Sequence, residues 1–266
     1  MDIVDLILVE RLKSYEEQTG ERKKAILLHS YTLQFGASLL SMIALLELAL
    51  RNSSDLHLSA DFNDESWLLE GHNSVPLKRS ERDAAKKAKR QAQRHAYSKL
   101  TNQDRAALDG LTSIDGKSQN KSKTEIIQAR QALLSVSHGQ IISHTTFAFW
   151  KHLYSASYND TLWKRSLKKV FPDEAVERSQ IAEALENVYK IRNRLAHHEP
   201  VHGKRLSGVM KSLDFLRAKL GATATEENTA FMKFSQVHYL RLRMDYEAFM
   251  QAWEALTLPG AVAAHP

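Results

Sequence analysis

The chain has 266 residues, 43% of them hydrophobic and 26% charged, a balance that supports a substantial buried core and excludes disordered and collagen-like chains. It contains no cysteine, which excludes disulfides, thiolate catalysis and cysteine-ligated zinc or iron–sulfur centres. The net charge is +6, and 10 glycines and 5 prolines punctuate the chain sparsely enough to favour long helices over short strands joined by tight turns.

The first residues, Met1-Asp2-Ile3-Val4-Asp5, are acidic where a secretory leader is basic, so a cytoplasmic protein is expected. Ile3 to about Gln18 has a helical apolar pattern with Gly20 as its stop, and a second helix is expected from about Glu21 to Asp55. Within it, Ala25 to Leu46 carries no formal charge and is long enough to cross a bilayer. However, Ser30, Gln34, Ser38 and Ser41 recur at spacings of four, four and three, which places them on one polar stripe. The stretch therefore reads as a core helix of a bundle, with no membrane span.

Residues 56–78 read as irregular, and the following segment holds the charge surplus. Between Lys78 and Lys99 nine basic residues face only Glu81 and Asp83, so the rest of the chain is close to neutral. Its composition predicts a helix that Ser80 caps. Lys86, Lys87, Lys89, Arg90 and Arg94 then form either a solvated surface or an electrostatic footprint for RNA phosphates. Residues 101–123 are polar, contain Gly110 and Gly116, and read as a loop.

A helix is expected from about Thr124 to Ser137. Phe147, Phe149, Trp150, Tyr154, Tyr158 and Trp163 follow at mostly helical spacings and read as core in preference to a base-stacking platform. Phe171-Pro172 breaks the chain, and a helix from Asp173 to about His198, with Asp173 and Glu174 in its first turn, is closed by Pro200 and Gly203. Residues 205–220 and 227–256 predict two more helices. The expected architecture is all-α: one helical domain over residues 1–256, with residues 78–123 as an inserted basic helix and loop and residues 257–266 as a tail.

Chemistry converges on Arg192-Asn193-Arg194-Leu195-Ala196-His197-His198-Glu199-Pro200-Val201-His202. His198-Glu199-Pro200-Val201-His202 matches the letters of the H-E-x-x-H zinc motif, but that motif needs a continuous helix, and Pro200 forbids one. No metal or other cofactor is expected. Arg192 and His197 instead supply an imidazole that moves protons near neutral pH and a permanent cation for a phosphoryl transition state. Those groups suit RNA cleavage, in which the 2′-hydroxyl of the substrate is the nucleophile. Five residues turn an ideal helix through about 140° beyond one full turn, so Arg192 and His197 do not share a face. Either the last turn distorts, or two chains of a symmetric dimer combine their residues in one cleft.

The run from Arg192 to Val201 resembles the signature of the HEPN superfamily, an arginine followed by a polar residue, a short spacer and a histidine. Further landmarks, Leu45-Leu46-Glu47-Leu48-Ala49-Leu50-Arg51-Asn52, Phe147-Ala148-Phe149-Trp150, Leu162-Trp163 and Phe171-Pro172, occur in the order found in the Abi-like (abortive infection) branch. Ala148 departs from that pattern, which has glycine there. The resemblance implies a HEPN-type helical bundle, homodimerisation, and metal-independent endoribonuclease activity leaving a cyclic phosphate and a 5′-hydroxyl. It also implies a toxin of phage defence, restrained by an antitoxin protein or a noncoding RNA. Carried over, Arg192 and His197 are the catalytic pair and Asn193 the polar residue after the arginine, while Arg194 and His198 match the longer run. Glu47 and Arg51 match another landmark, read as a salt-bridged pair that positions the motif helix or as a substrate contact. A non-catalytic HEPN module that binds RNA or a partner is the rival expectation.

Overall fold

A computed structural model describes residues 9–112, 122–222 and 229–258, and every regular element among them is helical. Besides three short helical turns between residues 156 and 170, the α-helices in chain order are α1 (Val9–Thr19), α2 (Arg22–Phe62), α3 (Arg79–Ser98), α4 (Asn102–Thr112) and α5 (Lys123–Ala132). Then come α6 (His138–His144), α7 (Phe147–Leu153), α8 (Arg178–Ala196), α9 (Gly203–Lys219) and α10 (Ala230–Leu256). Residues 3–8 of the expected first helix, 113–121 of the expected loop and 259–266 of the expected tail lie outside the described residues. Contacts group the chain into two compact units where a single domain was expected, one holding the described residues up to Ser53 and from Lys168 onward, the other Ser54–Leu167.

In the first unit the buried face of α2 carries Leu28, Phe35, Leu39, Met42, Leu46 and Leu50, and Phe35 stacks on Phe249 of α10 with centroids 5.4 Å apart. Helices α8 and α9 pack on each other and bury Ile181, Leu185, Val188, Leu206, Val209 and Leu213. By length and composition α2 contains a window apolar enough to cross a membrane. Three of its four polar-stripe residues nevertheless direct their hydrogen bonds to α10. Gln34 Nε2 donates to Asp245 Oδ1 at 2.7 Å, the Ser38 hydroxyl donates to Asp245 Oδ2, and Ser41 Oγ lies 2.8 Å from His238 Nδ1. Burial opposes ionisation of Asp245, but hydrogen bonds from Ser38, Gln34 and Arg241 outweigh it and hold the carboxyl below the usual range.

Several boundaries differ from expectation. Helix α2 continues to Phe62, past the expected end at Asp55, because no glycine or proline intervenes and Leu58 and Phe62 are buried. Asn63 then takes a left-handed φ of 51°, with its N–H on the Ala60 carbonyl and the Asp64 N–H on the Ser59 carbonyl. Helix α8 starts at Arg178, five residues later than expected, because Asp173 is spent elsewhere. Its carboxylate accepts from the Ala175 N–H at 3.0 Å and from Lys219 Nζ at 2.6 Å. Helix α4 replaces much of the expected loop, since Thr101 and Asp104 cap each other reciprocally at its start.

The second unit is built on aromatic burial. Phe149 and Trp150 meet edge to face at 5.1 Å, Trp67 joins both, and Tyr154 and Tyr158 are almost fully buried, so the aromatic stripe is core. Helix α3 turns Ala85, Ala88 and Ala92 inward and packs against α5 and α6. Lys78, not Ser80, occupies its N-cap position, and the Ser80 hydroxyl donates instead to Glu81. Glu81 is buried, and hydrogen bonds from Tyr158 at 2.6 Å, His152 and Ser80 outweigh the burial that opposes its ionisation.

Candidate active site

The carboxyl-terminal half of α8 alternates buried and exposed positions at helical spacing. Val188, Ile191 and Leu195 anchor it in the first unit, and Arg192 projects to solvent between them. Helix α8 ends at Ala196. His197 is its C-cap residue with φ −98° and ψ 10°, and it too is exposed. His198 has a left-handed φ of 55°; its N–H donates to the Leu195 carbonyl and the Glu199 N–H to the Arg194 carbonyl, each at 2.9 Å. This two-bond closure usually places glycine where His198 stands. Here an ion pair of 3.1 Å between Arg194 and Glu199 bridges the two residues on either side of the reversal. The chain thus leaves the helix before His198, so His198 and His202 do not lie on one helical face, and His202 stacks on Trp253 with centroids 4.8 Å apart.

The structure separates the motif residues by direction. Arg192 acts on Glu47 of α2, whose half-buried carboxyl is pushed by burial above the usual carboxylate range. The charges of Arg192 and, less strongly, Arg51 pull it part of the way back. Glu47 thus lies in the fields of both Arg192 and Arg51. Asn193 and Arg194 instead line a cleft of about 470 Å³ between α8 and α9, and a long contact of 3.5 Å joins Arg192 Nη1 to Asn193 Oδ1. His198 and Glu199 border a smaller recess on α2, whose Gly36 permits close approach: a Cβ there would lie 3.2 Å from Leu195 Cδ2.

The α8/α9 cleft is the part that sequence reasoning missed. Lys190 and Arg194 from α8 and Lys204 and Arg205 from α9 line it together with Asn187 and Asn193, and no carboxylate among the described residues does. Lys190 and Arg194 sit four residues apart, which is a signal for a shared face, but Lys204 and Arg205 lie beyond a helix break and in no charge run.

In the second unit, Lys86, Lys87, Arg90 and Arg94 of α3 are exposed, whereas Lys89 is half-buried and bonded to Glu70 at 2.8 Å. Arg82, Lys86 and Lys89 line a cleft of about 350 Å³ with Glu70 and His72, so the basic face there is partly neutralised. Comparison of the chain with protein-family models, curated proteins and solved structures finds no match.

Proposed function

We propose that the chain is a metal-independent endoribonuclease of the Abi-like HEPN type, a toxin of abortive infection that acts in the cytoplasm as a homodimer. The observation that carries this reading is that Arg192 and His197 are both exposed at the carboxyl-terminal end of α8, with Arg192 in the field of Glu47. In the reaction, the substrate 2′-hydroxyl loses its proton to an imidazole and its oxygen attacks phosphorus. The P–O5′ bond breaks, O5′ takes a proton, and a 2′,3′-cyclic phosphate and a 5′-hydroxyl result. His197 serves as proton carrier, and Arg192 holds the non-bridging oxygens as their charge rises. Their spacing of five residues, about 140° beyond one turn of an ideal helix, favours a cleft completed by a second copy of the chain, which supplies the second imidazole that acid and base roles require. An antitoxin protein or a noncoding RNA would restrain the enzyme.

The test is cleavage of an end-labelled RNA in EDTA beside the 2′-deoxy oligonucleotide of the same sequence. RNA is expected to be cut and the deoxy strand left intact, because it lacks the nucleophile. Cleavage of both overturns the reading. Cleavage of neither leaves a non-catalytic RNA-binding module, which the exposed Lys86, Lys87, Arg90 and Arg94 favour.

A further inference from the structure

The α8/α9 cleft brings Lys190, Arg194, Lys204 and Arg205 around a single space of about 470 Å³ with no lining carboxylate among the described residues. Four like charges around one space repel each other, and a polyanion relieves that cost. Lys190 and Arg194 are each partly balanced by a neighbour outside the lining, Glu186 at 3.5 Å and Glu199 at 3.1 Å. Lys204 and Arg205 are exposed and make no ion pair among the described residues. The floor is aliphatic, from Ile191 and Val209, and no aromatic ring among the described residues lines the cleft to stack on a base. Asn187 and Asn193 add neutral donors and acceptors suited to phosphate and ribose oxygens.

We infer that this cleft binds the phosphodiester backbone of single-stranded RNA without base preference. Asn193 is shared by the cleft and the Arg192/His197 motif, so the bound strand runs beside the bond to be cut. That last placement rests on the proposed ribonuclease reading; the binding itself does not.

Gly208 supplies a clean probe. It lines the cleft from the interior of α9, and a Cβ at this position would meet nothing within 4 Å. Gly208→Glu therefore adds its Cβ without a clash, favours the helix, and brings a negative charge to the lining of the cleft. The experiment is fluorescence anisotropy with a labelled single-stranded RNA, titrated at several NaCl concentrations with the full chain carrying His197→Ala to keep the RNA intact. Gly208→Glu is expected to raise Kd at least ten-fold. Lys204→Ala with Arg205→Ala is expected to lower the slope of log K against log [NaCl] by about 1.4, at roughly 0.7 for each phosphate that is no longer neutralised. Kd within two-fold of the parent and an unchanged slope in both variants overturn the inference, even where the enzyme cleaves RNA normally. Loss of binding in both variants with no cleavage by the unmutated chain supports the cleft and removes the ribonuclease reading. Displacement of the RNA by micromolar adenosine triphosphate, with affinity independent of RNA length, overturns it in favour of a nucleotide site.

Discussion

Arg194 and Glu199 form an ion pair of 3.1 Å across the left-handed turn that ends α8, and His198 occupies the turn itself. A β-carbon in that conformation costs on the order of 1 kcal/mol that glycine avoids. His198→Gly is therefore expected to stabilise the chain by about 1 kcal/mol in urea unfolding, and His198→Val to destabilise it. The ion pair is half exposed, and Glu199→Ala should cost no more than about 1 kcal/mol.

Glu47 carries a second expectation. Its carboxyl is raised by burial, so the stability it contributes is present below the ordinary carboxylate range and is lost as pH rises through the higher folded value. Relative to the parent, Glu47→Gln should gain stability as pH rises from about 4 to 7, while RNA cleavage falls because Arg192 loses its countercharge. The Glu47 titration followed by carboxyl NMR should move upward in Arg192→Ala; an unmoved titration would dissociate the two residues.

Asp245 behaves in the opposite sense. Burial opposes its charge, but Ser38, Gln34 and Arg241 hold it below the usual range, so its contribution is complete above about pH 4 and is lost as pH falls through the folded value. Asp245→Ala leaves Gln34, Ser38 and Arg241 without their acceptor and should cost about 1–3 kcal/mol at neutral pH. Chemical unfolding across the acid range should show the parent approaching the variant as pH drops.

On α3, Lys89 is already paired with Glu70, whereas Lys87, Arg90 and Arg94 face solvent. Replacing the three exposed residues with alanine should weaken RNA binding and flatten its salt dependence; Lys89→Ala should change either far less. Equal effects would mean that the Glu70 pairing does not persist when RNA binds.

Much of the fold is readable from spacing. Gln34, Ser38 and Ser41 declare a polar stripe in an otherwise apolar helix, but Asp245 and His238, the groups that satisfy it, lie about two hundred residues away and announce nothing locally. The aromatic run is core because its six rings recur at helical spacing in a charge-poor stretch. Local rules fail where a competing partner exists. Asp173 has the look of a first-turn acid but is claimed by Lys219, and Ser80 has the look of a cap but serves Glu81. The placement of the motif residues at the carboxyl-terminal end of a helix is legible in the sequence. The basic cleft beside them is not, because it needs Lys190 and Arg194 packed against Lys204 and Arg205 across a helix break.

The most direct measurement is the fate of RNA incubated in EDTA with the purified chain, with His197→Ala and with Arg192→Ala, and with fragment ends identified. His197 is exposed, so His197→Ala should keep the stability of the parent within about 0.5 kcal/mol, whereas Arg192→Ala, which takes a compensating charge from Glu47, should stay folded at a cost of about 1 kcal/mol. Fragments with 2′,3′-cyclic phosphates and 5′-hydroxyls are expected from the parent and none from either folded variant. Undiminished cleavage by His197→Ala, or fragments carrying 5′-phosphates, would contradict the ribonuclease reading.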